Sequence, residues 1–185
     1  MPQTPPRIPP VVPEAFTAEQ TQLVGDWAAL NFSQVIVENP GLYRTLIPLI
    51  GQLISDSTLP PRDREVLVLR TLRLSDETYE YNHHLLIAGK AGMTAAEIEA
   101  AASASPELAP FDQALVRAVD ELMREQRVGD ATWRILAERY SKAQLMEVVA
   151  VVGLYVLMAM LTRSCDVELE DAATFDAFRQ LRNYT

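Results

Sequence analysis

The sequence is poor in the residues that redox and metal chemistry use most. Among 185 residues it has one cysteine, Cys165, and two histidines, His83 and His84. One thiol cannot close an internal disulfide, and there is no CxxC pair for redox cycling or zinc binding. A reducing compartment suits such a chain, and we expect a cytoplasmic protein. Glycine is scarce, at 7 residues. The chain has no glycine-rich phosphate loop and no G-x-S-x-G nucleophile turn. Basic residues are outnumbered 16 to 25, for a formal net charge of -9. That sign repels phosphate backbones, and no basic run argues otherwise, so no nucleic-acid partner is expected. The uncharged run from Val148 to Thr162 is short of the ~20 residues that span a bilayer, and Glu147 and Arg163 bound it. We read it as the buried central helix of the fold and expect no membrane partner. The N-terminus offers no apolar signal region of the usual ~7–15 residues.

The composition that remains is ordinary globular usage, 49% hydrophobic and 22% charged, enough for one domain with one core. Residues 1–16 open with a proline-rich stretch and read as an extended arm, because proline fixes φ and lacks a donor. Residues 17–185 read as a single helical domain. Thr17–Gln20, Thr94–Glu97 and Ser141–Gln144 each have a hydroxyl three residues before a Glu or Gln, the pattern of a capping box. Helices are expected from Thr17 to about Leu30, Leu42 to Ile54, Arg62 to about Leu74 and Asp76 to about Ala91. Further helices follow from Thr94, Phe111 to Glu125, Asp130 to about Tyr140, Ser141 to about Arg163, and after Asp171 with Phe175 and Phe178. No segment sustains period-two alternation, so the fold class is all-α.

Residues 62–92 are where chemistry is concentrated. On the first helix, Glu65 shares a face with Val68, Leu69 and Leu72, and a carboxylate among apolar neighbours needs a partner. On the second, Glu77, Glu80, Tyr81, His84, Ala88 and Ala91 follow spacings of three and four and form one stripe. Glu80 and His84 are therefore neighbours. If the two helices fold back as a hairpin, Glu65 approaches His84 from the other side. Two carboxylates around one imidazole can take and return a proton near neutral pH. The competing reading is an exposed Glu80–His84 ion pair worth a few tenths of a kcal/mol. His83 points about 100° away and reads as surface or subunit contact. Adjacent histidines point apart and cannot grip one metal as i,i+4 histidines would, so no metal site is expected.

These residues resemble the core motif of the carboxymuconolactone decarboxylase family, within the alkylhydroperoxidase D-like superfamily. That motif runs R-x-R-E, then Y-E-W-x-x-H, then A-G-[LM]-[ST]-x-x-E-I. The chain has Arg62-Asp63-Arg64-Glu65, then Tyr79-Glu80-Tyr81-Asn82-His83-His84, then Ala91-Gly92-Met93-Thr94-Ala95-Ala96-Glu97-Ile98. Tyr81 replaces the usual tryptophan. The resemblance is specific over about Leu59 to Ala100 and looser at Gly153, Tyr155 and Val167-Glu168-Leu169. It implies an alkylhydroperoxidase D-like helical bundle that assembles as a homo-oligomer, a trimer, hexamer or dimer.

The thiol-dependent branch of the family has E…C-x-x-C-x-x-x-H. Matching Glu65 and His84 to that pattern puts Glu77 and Glu80 at the two cysteine positions, which disfavours thiol peroxidase chemistry. The other branch implies a cofactor-independent lyase acting on a small organic acid or lactone. His84 would move the proton, with Glu80 or Glu65 tuning it. Arg62 or Arg73, among the arginines of the first helix, would bind a substrate carboxylate, since a guanidinium grips one with two bonds. Tyr81 and Tyr155 would contact substrate. The alternative is a non-catalytic, oligomeric ligand-binding or structural member.

Overall fold

The computed structural model describes residues 5–180, with side chains to residue 177. The described residues form ten α-helices and two 3-10 turns, with no strand among them. In order the helices are α1 (Ala18–Val24), α2 (Asn31–Ile36), α3 (Pro40–Ile54), α4 (Pro61–Leu74) and α5 (Tyr79–Lys90). Then come α6 (Ala95–Ser103), α7 (Pro110–Glu125), α8 (Asp130–Ala137), α9 (Lys142–Cys165) and α10 (Ala172–Gln180). All three capping boxes form, at Thr17, Thr94 and Ser141.

The central helix is α4, not the apolar run in α9. It packs against α5, α6, α7 and α9, and Val66, Leu67, Val68, Leu69 and Leu72 are fully buried. Its charged residues hid this in the sequence, because all but Arg73, which pairs at the surface, meet partners within the fold. Asp63 accepts from the Tyr140 hydroxyl at 2.7 Å and pairs with Arg139 at 3.0 Å. Arg70 pairs with Asp120 at 2.7 Å. The longest helix, α9, buries one face through Val148, Val151, Val152, Tyr155 and Met158. Its opposite face leaves Met146, Val149, Leu157 and Met160 exposed. By length and composition alone, α9 is apolar enough to cross a membrane, yet half its surface is the wall of this core.

Two boundaries differ most from the sequence expectation, besides smaller shifts at the start of α3 and the end of α8. The first helix stops at Val24, because Gly25 takes φ 52 and opens a 3-10 turn, and α2 begins only at Asn31. The α4–α5 connection is longer than expected. Asp76 sits at φ 51, and α5 starts at Tyr79. The described part of the arm lies on its own chain. The backbone amides of Ile8 and Val11 donate to the carbonyls of Cys165 (3.3 Å) and Gln34 (3.2 Å). Asp171 caps α10 by accepting from the amides of Ala173 and Thr174. The Phe178 side chain lies outside the described residues.

Candidate functional site

The tight α4–α5 connection folds the two helices back on one another. Thr78 makes no capping hydrogen bond at the start of α5, and Glu77 takes that role instead. Its Oε1 accepts from the Tyr79 amide (3.0 Å) and the Thr162 hydroxyl (2.9 Å). Its Oε2 accepts from the amides of Glu80 (2.8 Å) and Tyr81 (3.2 Å). A carboxylate at a helix N-terminus completes the orphan donors and suits the dipole. So Glu77, buried and with four donors, fixes α5 against α9.

With the hairpin closed, Glu65 and His84 meet. His84 Nδ1 lies 2.6 Å from Glu65 Oε2, and both residues are buried. The other ring nitrogen, Nε2, is 2.7 Å from the Tyr155 hydroxyl of α9. A carboxylate only accepts, so Nδ1 carries the proton. In the neutral ring, Nε2 then accepts from Tyr155. Arg64 closes the chain from behind. Its Nε donates to Glu65 Oε1 at 3.2 Å and its Nη1 to the Ile54 carbonyl. Its Nη2 finds no hydrogen-bond partner among the described residues. The result is a line of four buried polar side chains, Arg64–Glu65–His84–Tyr155, drawn from three helices.

Glu80 sits one helical turn before His84. The residue is only 8% exposed, and its carboxyl makes no hydrogen bond to any described residue. Burial raises its pKa from the ordinary 4.5 to about 7. His84 and His83 pull it down, and Glu77 and Glu170 push it further up. Desolvation of an unpartnered carboxyl disfavours the charged form. Glu80 lines a small, partly open pocket of about 40 Å³ between the α1–α2 connection, α3, α5 and α9. Its walls are Trp27, Leu30, Phe32, Ile47, Ile50, Ile54, Ile87 and Met158, with Tyr79, Glu80, His83 and His84 as its polar members. An apolar cleft with a few convergent polar groups is the form of a small-molecule site.

His83 is not a surface residue. It is 4% exposed, lines the same pocket and packs against Tyr79 and Phe175. Its Nδ1 donates to the Tyr79 carbonyl at 2.9 Å, and its Nε2 lies 3.2 Å from Glu170 Oε2. That second approach is a charge contact rather than a well-aligned hydrogen bond. Burial pushes the imidazole pKa down, but the acceptors at both nitrogens and the nearby Glu80 outweigh it, and the net shift is upward. Glu170 also accepts from the Tyr79 hydroxyl (2.5 Å) and the Asn31 amide (2.8 Å). Burial opposes these contacts, yet together they hold its carboxyl below the usual range.

Of the residues singled out in the sequence, the structure gathers Glu65, Glu80, His84 and Tyr155. It does not bring Arg62, Arg73 or Tyr81 to the pocket, and that expectation is corrected. Arg62 reaches the other way. It grips Asp112 with two bonds of 2.9 Å and Glu97 with one of 2.8 Å, tying α4 to α6 and α7. Arg73 donates to Glu99 and to the Tyr81 hydroxyl, both at 3.0 Å, at the surface. Sequence reasoning counted Arg64 only among the arginines that could bind a substrate carboxylate, whereas it holds Glu65 and the Ile54 carbonyl, and it missed Tyr79, His83 and Glu170. Tyr79 carried a signal in its place beside Glu80, whereas Glu170 lies 91 positions beyond Tyr79 and carried none. No group of three or more side chains suited to a metal ion comes together among the described residues.

Comparison with known proteins agrees with this architecture. No curated protein matches the sequence. An uncharacterised peroxidase-related protein from Silicibacter sp. superposes with a TM-score of 0.78 at 12% identity, over 96% of this chain and all of that one. An alkylhydroperoxidase AhpD core protein from Ralstonia eutropha, also peroxidase-related and uncharacterised, gives 0.77 at 17% identity, over 96% and 98%. A protein of unknown function from Agrobacterium tumefaciens gives 0.65 at 15%, over 72% and 94%. At such identities the likeness shows a common AhpD-like helical fold. Residues 40–121, which include α3 to α6 with Glu65, Glu80 and His84, match the model of the carboxymuconolactone decarboxylase family.

Proposed function

We propose that the chain is a cofactor-independent enzyme that transfers protons on a small organic acid or lactone, the lyase-type chemistry for which the matched family is named. One observation carries this reading. A buried carboxyl with a proton affinity near neutrality, Glu80, lines an apolar pocket without a hydrogen-bond partner among the described residues, beside a histidine held at both nitrogens. A group that titrates near the working pH is suited to give and take protons. Glu80 is the group that meets the substrate, as acid below about pH 7 and as base above it. His84 is a positioning residue behind it, set by Glu65 and Tyr155, and its imidazole pulls the Glu80 pKa down. This inverts the roles expected from sequence, where His84 moved the proton.

The test is turnover of a panel of small lactones and keto acids, read as CO₂ release and as exchange of substrate C–H for deuterium from D₂O. Glu80→Gln should lose roughly 10²–10⁴-fold in rate, the usual worth of a positioned proton donor or acceptor. His84→Gln should shift the pH–rate profile toward higher pH. Glu80→Gln and His84→Gln enzymes that both match wild type would remove the proposal.

A second reading is favoured by one specific feature. Both ring nitrogens of His84 are satisfied inside the protein, as they would be in a fixed structural network of a ligand-binding member without catalysis. It predicts ligand binding with no turnover and no exchange. A thiol-based peroxidase has less support. Cys165 ends α9 and is absent from the pocket lining. Burial and Asp166 raise its pKa, which works against the reactive thiolate.

A further inference from the structure

We propose that the Glu80 pocket selects an uncharged carbonyl compound with an apolar body, a ketone or lactone without a free carboxylate, and rejects organic anions. This rests on the pocket being the proton-transferring site, and narrows its substrate to the neutral lactone or ketone, on which the reaction is C–H proton exchange, since CO₂ release would need the free carboxylate that the pocket rejects.

Charge and lining both point this way. No lysine or arginine lines the pocket among the described residues. The arginines of α4 that face outward are committed elsewhere: Arg62 to Asp112 and Glu97, Arg70 to Asp120 and the Ala102 carbonyl, Arg73 to Glu99. Arg64 lies behind Glu65, turned to the Ile54 carbonyl. Four carboxyl groups cluster around the polar end, namely Glu65, Glu77, Glu80 and Glu170. Against them stand Arg64 and two imidazoles, and each imidazole already faces its own carboxylate. With both rings protonated and Glu80 neutral, the three cations only balance the three remaining carboxylates, so none is left over for a ligand anion, and once Glu80 ionises the acids outnumber them. A bound carboxylate would therefore enter an apolar site with no surplus cation and no guanidinium in its lining, and a charge without a partner is costly there.

A neutral carbonyl meets no such barrier. Its body can lie on Leu30, Phe32, Ile50, Ile54 and Met158, and its oxygen can accept from protonated Glu80. The groups that face Glu80 are His83 and His84 on its own helix, Glu77 before that helix and Glu170 from the C-terminal segment. Together with burial they set where Glu80 loses its proton, at about 7. Binding through that proton should weaken above this value.

The experiment uses two probes of like shape, 4-fluoroacetophenone and 4-fluorobenzoate, titrated into the whole chain and read by ¹⁹F NMR line broadening. The ketone should bind at least about tenfold more tightly than the carboxylate at pH 6, and lose affinity by pH 8.5. In Glu80→Gln the ketone should bind independently of pH, because an amide donates at any pH. Equal or tighter binding of the benzoate, or binding of neither probe, would overturn the proposal. Should Glu80→Gln fail to fold, the wild-type preference and its pH dependence decide alone. Binding is read without turnover. A chain that prefers the ketone yet shows no exchange chemistry refutes the enzymatic reading and leaves this one standing.

Discussion

Glu80 offers a direct way to ask whether its site is built for stability or for chemistry. The perturbation is Glu80→Gln, which keeps the shape and removes the ionisation. In the folded chain the carboxyl titrates at about 7 against an ordinary 4.5. A folded-state pKa above the unfolded value means that the folded state binds the proton more tightly. Stability is therefore lost as pH rises through the interval between the two. Each tenfold difference in proton affinity between the two states corresponds to about 1.4 kcal/mol. The gap between 4.5 and about 7 then gives about 3 kcal/mol of destabilisation once Glu80 is fully ionised.

The glutamine variant does not incur this cost. Its stability relative to wild type should rise by about 3 kcal/mol between about pH 4.5 and about pH 8. Other titrating groups are common to both proteins and cancel in the difference. The assay is urea unfolding of both proteins at about pH 4.5, 6 and 8, with equal m-values as the check that the same transition is compared. A constant offset across that range would refute the reasoning, because it would mean that Glu80 is solvated or paired in the folded chain. A pH-dependent gain with loss of turnover is the signature of a strained functional group.

Three other outcomes are expected. Glu65→Ala should destabilise the fold by about 3–5 kcal/mol, since it leaves the buried Arg64 without its carboxylate; a loss under about 1 kcal/mol in urea unfolding would contradict the buried network. Arg62→Ala should cost about 2 kcal/mol by orphaning the buried Asp112, while ketone binding in the pocket stays unchanged; weakened probe binding would return Arg62 to the site. The outward stripe of α9, where Met146 is 72% and Met160 63% exposed, predicts self-association. Sedimentation should find a species larger than the monomer, and Met160→Asp should reduce it with helicity intact. A wild-type monomer at micromolar concentration would refute this.

Most of the fold was legible because its signals are local. Capping boxes at Thr17, Thr94 and Ser141 mark helix starts by chemistry complete within four residues, and all three form. The Glu65–His84 contact was legible for a similar reason. Two adjacent helices joined by a short turn must pack, so a carboxylate on one apolar face meets the imidazole on the other. The central helix was misread, because α4 hides its burial behind charges whose partners, Asp112, Asp120 and Tyr140, lie at least 50 positions away. Helical periodicity cannot see pairs at that range. His83 was misread for the same reason. Its angle on α5 was right, but the surface it faces is supplied by Glu170 and Phe175.

The two positions that align with the cysteines of the C-x-x-C-x-x-x-H pattern show how environment assigns roles to like residues. Glu77 and Glu80 are three apart, both buried, with the same carboxyl group. Glu77 receives four hydrogen bonds, three of them from the backbone amides that open α5. Such a carboxylate holds the helix. Glu80 receives none from any described residue and lines an apolar pocket. Since hydrogen bonds stabilise the ionised form and desolvation disfavours it, one acid is committed to structure and the other is left free to exchange a proton. Because Glu77 anchors the turn from which Glu80 projects, exchanging the two environments would require a different start to α5. The proton-exchanging group is thus set by which acid the helix cap consumes.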